Sequence, residues 1–122
     1  MIKIQNSKQY DLEDRTLQSG LETIRLAKHL KHNEVNKVLS NQFVRSGTST
    51  GANYREANET QTKKDFCFRI RICRKEAKET IYWLELIKEA NPEHIDKCNI
   101  LIEEYTQQVK IFASIAEKAK VV

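Results

Sequence analysis

The residues of this chain best suited to chemistry are cations that recur along one predicted helix. Four of them are spaced i, i+3, i+4 and i+7, which places them on one helical face, and a fifth lies close to that face. Between residues 63 and 78, seven basic and two acidic residues give a net charge of +5, although the whole chain carries only +4. Phosphate backbones bind such surfaces with an affinity that falls as salt rises. The predicted nucleic-acid-binding residues are Lys64, Arg71, Arg74, Lys75 and Lys78.

Two other roles stay open for this face. It can be a solvated surface partly neutralised by Glu79 and Glu85, or it can bind an acidic protein partner. We find no aromatic residue interleaved with the cations at base-stacking spacing. Any nucleic-acid contact is therefore expected to address the backbone, with little sequence specificity.

A run of seven small or hydroxylated residues, Ser46–Ala52, lies inside a predicted helix. Its glycines, Gly47 and Gly51, are four residues apart and share a face, so they form a notch that admits a close neighbouring helix. A phosphate loop is the weaker interpretation, because the lysine and spacing of GxxxxGK[ST] are missing and no strand precedes the run. We predict a helix-packing seam of Gly47, Gly51 and Ala52.

Metal binding and catalysis find little support. Glu76 and Glu79 are three residues apart, but the Glu-x-x-His pairs of bundle metal sites are missing. His29 and His32 are spaced for one metal face, yet we identify no third ligand. The sequence shows no convincing nucleophile–base pair and no cofactor fingerprint. We predict a protein without enzymatic activity, resident metal or cofactor.

The glutamates of this region are better explained as ion-pair partners. Glu56, Glu76 and Glu79 are expected to pair with nearby arginines and so to fix the register of the second and third helices. We expect Arg45 and Glu56 to lie near the seam. The arginines available are Arg45, Arg55 and Arg74.

Apolar periodicity predicts the elements that position these residues. Four helices are expected, at about residues 11–31, 34–58, 63–89 and 92–119, with N-caps at Asp11, Thr62 and Asn91. The linkers are short, which favours antiparallel neighbours. The fold class predicted is an all-α, up-down-up-down four-helix bundle, with one domain over residues 1–122.

The apolar residues of the first and third predicted helices indicate which helix faces are buried. The first helix is expected to bury one apolar stripe, made of Leu17, Leu21, Ile24, Ala27 and Leu30. In the third helix, Phe68, Ile72 and Trp83 fall outside the main stripe. They predict a second surface that is buried either in a neighbouring subunit or elsewhere in the domain.

Composition narrows the class of protein. One proline and three glycines among 122 residues are too few for the turns of a β-sandwich. No stretch approaches the roughly 20 apolar residues of a membrane span, and the polar start of the chain does not resemble a signal peptide. The odd number of cysteines, without a CxxC pair, predicts reduced core thiols. We expect a cytoplasmic protein.

Three stretches resemble the four-helix-bundle family of 23S rRNA intervening-sequence-encoded proteins. They are Tyr10-Asp-Leu-Glu-Asp-Arg-Thr-Leu17, Arg45-Ser-Gly-Thr-Ser-Thr-Gly-Ala-Asn-Tyr-Arg-Glu-Ala57 and Lys75-Glu-Ala-Lys-Glu-Thr-Ile-Tyr-Trp-Leu-Glu-Leu86. The second is the most specific of the three. Together they span the first three predicted helices in order, and the fourth helix matches in pattern only.

The resemblance implies a homo-oligomer, typically a pentamer that forms a ring, with no known enzymatic activity. It also implies a link to RNA or the ribosome. A related group, the accessory proteins of diversity-generating retroelements, uses a similar pentameric bundle to bind nucleic acid and a reverse transcriptase. Expected partners are therefore RNA or DNA, a reverse transcriptase, or an acidic protein that the chain would serve as an accessory or regulatory subunit.

Overall fold

The computed structural model describes residues 11–120, and nearly all of this range is helical. Residues 1–10 and 121–122 of the predicted domain, Tyr10 included, lie outside it. The helices are α1 (Leu12–His29), α2 (Glu34–Ala57), α3 (Lys63–Ala90) and α4 (Ile95–Lys118), and a 3₁₀ turn (Pro92–His94) precedes α4. The described range contains no strand. The all-α four-helix bundle is as predicted.

Three helices begin at a capping side chain. Asp11, Asn33 and Thr62 each accept a hydrogen bond from the backbone N–H three residues later, at 3.3, 2.8 and 3.1 Å respectively. These bonds satisfy one of the free N–H groups at each helix start. The cap at Asn33 is not among the predicted caps.

Asn91 does not cap α4, contrary to the prediction. It begins the 3₁₀ turn without a side-chain capping bond, and α4 starts at Ile95. Its buried amide instead pairs reciprocally with that of Asn36, each Nδ2 donating to the other Oδ1 at 2.9 Å. A further bond from Asn91 Nδ2 to the Ile87 carbonyl completes its hydrogen bonding. The pair therefore joins the start of α2 to the end of α3.

The helices pack in chain order. α3 has extensive contacts with α2 and α4, α1 packs mainly on α2, and the contact between α1 and α4 is small. Connections of four or five residues between successive helices force antiparallel neighbours. No helix within residues 11–120 combines the length and apolar character needed to cross a membrane.

The interior contains two apolar clusters separated by a polar layer. One cluster lies at the α2 N-terminal end and comprises Leu26, Leu30, Phe43, Ala77, Leu84, Ile87, Cys98, Leu101 and Tyr105. The other lies at the opposite end and comprises Leu12, Ala57, Ile70, Cys73 and Phe112. Between them along the helices are buried small or polar residues, which we call the central polar layer: Thr16, Ser19, Gly20, Thr23, Ser46, Gly47, Thr50, Gly51, Glu76, Thr80 and Gln108.

The apolar stripe predicted for the first helix is buried only at its C-terminal end, where Leu30 lies in the core and Ala27 packs against it. Leu17 and Ile24 are 45% and 39% exposed, and Leu21 is only half-buried. The face turned inward instead carries Thr16, Thr23 and the small residues between them. A Cβ on Gly47 would lie 2.8 Å from Thr23 Cγ2, and one on Gly51 would lie 2.9 Å from Thr16 Oγ1. The close approach of α1 at the glycines leaves room for threonine but not for leucine. The helix α1 is therefore oriented with Thr16 and Thr23 inward and with Leu17 and Ile24 outward.

Candidate nucleic-acid interface

Helix α3 presents all five predicted nucleic-acid-binding residues to solvent. Lys64, Arg71, Arg74, Lys75 and Lys78 are exposed and form what we call the cationic face. It extends over 14 residues, or about 21 Å of helix. Among residues 11–120, only Lys75 of the five takes part in an ion pair, with its Nζ 3.8 Å from Glu76 Oε2. Most of the positive charge is thus not neutralised by a neighbouring carboxylate.

The acids expected to neutralise this face pair elsewhere. Glu79 accepts from Arg45 and, at 3.0 Å, from Trp83 Nε1. Glu85 pairs with Lys88, whose Nζ lies 3.4 Å from Glu85 Oε1. Their charges are therefore shared with partners outside the cationic face.

Two aromatic side chains share this face, which corrects the expectation that none is interleaved. Phe68 lies one helical turn after Lys64, and Tyr82 lies one turn after Lys78. The two residues are 60% and 57% exposed. The four-residue steps from Lys64 to Phe68 and from Lys78 to Tyr82 are the sequence signal for this arrangement. In the part of the chain that the structure describes, no other element covers Phe68.

The glycine seam is real, but Ala52 is not part of it. Gly47 and Gly51 are buried against α1, whereas Ala52 is exposed. Ala52 borders an outer groove of about 420 Å³ between α1 and α2. The residues of that groove are Thr16, Leu17, Gly20, Leu21, Ile24, Thr48, Gly51, Ala52 and Arg55.

Arg45 holds α2 to α3 through two carboxylates. Its Nη1 donates to Glu76 Oε1 at 3.1 Å, and its Nη2 donates to Glu79 Oε2. The Glu76 side chain is only 9% exposed, whereas that of Arg45 is 46% exposed. This pairing lies at the edge of the central polar layer, where Thr80 also donates to Ser46 Oγ at 2.8 Å.

The remaining predicted ion-pair residues are placed differently. Arg55 lies 4.0 Å from Glu13 of α1, not from a carboxylate of α3. Glu56 is exposed, lies away from the seam, and forms no ion pair with another residue in the range 11–120. The expectation for Glu56 is wrong because its position on α2 points away from both neighbouring helices.

The thiols are poor nucleophiles. All three cysteines are free and buried. Burial raises the pKa of Cys73 to about 12 and that of Cys98 to about 11, so both are protonated at neutral pH. No cluster of three or more His, Cys, Asp or Glu side chains in residues 11–120 is arranged to hold a metal ion. The cationic face is consequently the most distinctive chemical feature described.

Comparisons with known proteins agree with the fold. A family model described as 23S rRNA-intervening sequence protein matches residues 8–114. A crystal structure of a protein of unknown function from the S23 ribosomal protein family of Bacteroides thetaiotaomicron is similar, with a TM-score of 0.77 and 34% sequence identity. The similarity covers 86% of this chain and 97% of that one. No curated protein matches the chain. The chain belongs to the 23S rRNA-intervening sequence protein family.

Proposed function

We propose that this protein is a non-enzymatic, cytoplasmic, homo-oligomeric binding module whose cationic face contacts RNA or DNA backbones. The observation that carries the proposal is the exposed set of cations on α3, of which only Lys75 pairs with a carboxylate among residues 11–120. The three buried, free thiols favour a reducing compartment.

The dimensions of the face suit a phosphate backbone. A length of about 21 Å spans about six phosphates of one duplex strand at 3.4 Å per step. Five phosphate contacts on a duplex predict that the logarithm of the binding constant falls with the logarithm of salt concentration with a slope of about −4.5 for each protomer. An oligomer would present several such faces and would bind a long polymer more tightly than one protomer does.

Self-association is the second part of the proposal. Leu17, Leu21 and Ile24, which we call the outer stripe of α1, lie at i, i+4 and i+7 beside the groove between α1 and α2. Aligned leucine and isoleucine side chains on an outward helix face favour a partner helix. We propose that a second copy of the chain covers them, and that the assembly is the ring-shaped pentamer implied by the family resemblance.

The alternative is an accessory or regulatory subunit that binds an acidic protein, or a reverse transcriptase, and no nucleic acid. The same cations favour it, because carboxylates pair with lysine and arginine as phosphates do. Salt lowers the affinity in both cases, so salt dependence alone does not separate them. The separation requires direct measurement of nucleic-acid binding.

Electrophoretic mobility shift on labelled RNA and DNA, at low and high salt, tests the first part. We expect retarded complexes at low salt that weaken as salt rises. A variant with Arg71, Arg74, Lys75 and Lys78 changed to Glu should lose them. A matched control changes four exposed lysines on other helices to Glu and should keep at least half of the wild-type affinity. These lysines are Lys28, Lys37, Lys110 and Lys118.

Each outcome is decisive. Loss of binding in the α3 variant alone supports the proposal. Equal loss in both variants shows that only overall charge matters, which contradicts a defined face. No complex at low salt with either nucleic acid favours the protein-binding alternative.

A further inference from the structure

We infer that the cationic face takes single-stranded nucleic acid, with bases stacked on Phe68 and Tyr82. This inference rests on the proposed function and names its substrate class. The observation behind it is that two aromatic residues, each more than half exposed, lie on the same face of α3 as the cations, Phe68 between Lys64 and Arg71 and Tyr82 one turn after Lys78. Proteins that bind single strands combine a positive surface with such aromatic platforms.

The spacing fits a short single-strand site. Phe68 and Tyr82 are 14 residues apart, or about 21 Å along the helix. Arg71, Lys75 and Lys78 lie between them on the same face. One base on each ring, with the intervening phosphates on the three cations, makes a site of about four nucleotides, within the range of known single-strand sites.

The Tyr82 ring is held in place by its neighbour. The two rings meet edge to face, with centroids 5.0 Å apart and an interplanar angle of 69°. Trp83 in turn donates its Nε1–H to Glu79, which Arg45 also binds. Tyr82 is nevertheless 57% exposed, which leaves surface for a base to contact.

A duplex cannot use these rings in the same way. Its bases are stacked on one another, so a protein ring reaches a base face only after that base leaves the stack. Phosphate contacts are available in both forms, whereas stacking is available only in the single strand. The aromatic pair therefore predicts a preference for single strands that the cations alone do not create.

Charge complementarity argues against a second copy as the occupant of this face. If two cationic faces met, their lysines and arginines would repel one another and lose hydration. The outer stripe of α1 suits a second copy of the chain better, because Leu17, Leu21 and Ile24 are aligned and no charged residue lies between them on that face. An anionic polymer with flat, apolar rings matches both components of the α3 face.

Fluorescence anisotropy with labelled 12-mers tests the inference. The probes are single-stranded oligo-U and oligo-dT and a 12-bp duplex of each sugar type, titrated with the full chain. We expect wild type to bind the single strands more tightly than the duplexes. F68A/Y82A should weaken single-strand binding by about tenfold or more and leave duplex binding and the salt slope unchanged.

Two kinds of control keep the result specific. The ring-preserving changes Phe68→Tyr and Tyr82→Phe should recover most of the single-strand affinity that F68A/Y82A loses. I100A, which removes a 67% exposed isoleucine on α4, should also be neutral. Polyglutamate, which carries charge without rings, should compete with the single strand much less well than unlabelled oligo-dT.

The outcomes separate the inference from the proposed function. Salt-sensitive binding with no preference for single strands, or an equal loss on both probe types in F68A/Y82A, overturns stacking and leaves backbone binding in place. Equal competition by polyglutamate, or a smaller assembly on light scattering of F68A, also overturns it. Failure to bind any probe removes both proposals. A similar result with RNA and DNA assigns the site to single strands of either sugar.

Discussion

The hydroxyl of Tyr105 on α4 lies 2.9 Å from the hydroxyl of Thr23 on α1, at the centre of the bundle. Tyr105 Oη is also 3.2 Å from the Ser19 carbonyl and 3.3 Å from the Gly47 carbonyl. Because carbonyls only accept, Tyr105 donates to them and Thr23 donates to Tyr105. One fully buried hydroxyl thus connects three helices, including α1 and α4, which otherwise touch little.

Removing this hydroxyl should destabilise the bundle. We expect Tyr105→Phe to lower the free energy of unfolding by about 1–3 kcal/mol, since buried acceptors lose their donor. Urea denaturation followed by circular dichroism measures it. Tyr82→Phe, which changes an exposed tyrosine of α3, is the matched control and should stay within about 0.5 kcal/mol of wild type. Equal stability of Tyr105→Phe and wild type would show that the three-helix contact contributes nothing.

The two glycines that face threonines should not tolerate a methyl group. A Cβ at Gly47 would lie 2.8 Å from Thr23 Cγ2 and 3.1 Å from Tyr105 Oη, so Gly47→Ala is expected to cost about 1–3 kcal/mol. Gly20→Ala is the control, because its Cβ would meet its nearest atom at 3.9 Å. There the gain in helix propensity should leave stability equal or higher by up to about 1 kcal/mol. Thermal and urea unfolding should show that Gly47→Ala lowers the free energy of unfolding and that Gly20→Ala does not. A loss of stability in both variants, or in neither, would contradict a tight notch at Gly47.

The pairing of Arg45 with Glu76 and Glu79 should be worth more than a surface ion pair. Arg45→Met leaves a Glu76 side chain that is only 9% exposed without its main partner. Because Arg45 is itself 46% exposed, we expect a cost of about 1–2 kcal/mol, between the values for surface and buried pairs. Arg25→Met breaks the exposed pair with Glu22 and should cost under about 0.5 kcal/mol. An unchanged melting temperature for Arg45→Met would rule out a stabilising role.

The outer stripe of α1 should control assembly without controlling the fold. We expect Leu17→Asp and Ile24→Asp each to shift the species seen by light scattering toward the 14.3 kDa monomer, while helicity by circular dichroism is retained. Gln18→Asp on the same helix adds the same charge without removing apolar surface and should leave the assembly intact. A wild-type protein that is already monomeric would refute this assignment of the stripe.

The Cys73 thiol should make stability depend on alkaline pH. Burial away from water raises its pKa from 9.0 to about 12, so the folded protein keeps a proton that the unfolded chain loses above pH 9. The associated stability is fully present below pH 9 and falls as pH rises toward 12, by at most about 1.4 kcal/mol per unit. From pH 6 to 8, the free energies of unfolding of wild type and Cys73→Ala, measured in urea, should change with pH in parallel. Above pH 9 the wild type should fall more steeply, and parallel curves there would contradict the shift.

The sequence predicts the helices well, because long apolar periodicity and cap residues such as Thr62 are local signals. It fails for the orientation of α1. There the apolar stripe at Leu17 and Ile24 was assumed to be the core, whereas the glycine notch of α2 selects Thr16 and Thr23. Which face turns inward depends on the space left by another helix, and periodicity within one helix does not contain that information.

The candidate site shows the same division. The cations of α3 and the residues around Gly47 could be placed from their spacing alone. That Glu79 pairs with Arg45, rather than with a cation of this face, depends on a contact between residues distant in the chain. The position of Phe68 on the cationic face, by contrast, follows from its four-residue spacing to Lys64.

The central polar layer has a consequence for how the helices can be aligned. Apolar side chains can substitute for one another in helix packing. In a bundle held together by apolar contacts alone, one helix could therefore shift by a turn at a modest cost in free energy. Here such a displacement would move Tyr105 away from Thr23 and push a larger side chain against Gly47. The hydroxyl groups and glycines in the middle of the bundle thus disfavour shifted registers of the helices. They select a single register, although the apolar clusters at the two ends would be compatible with several.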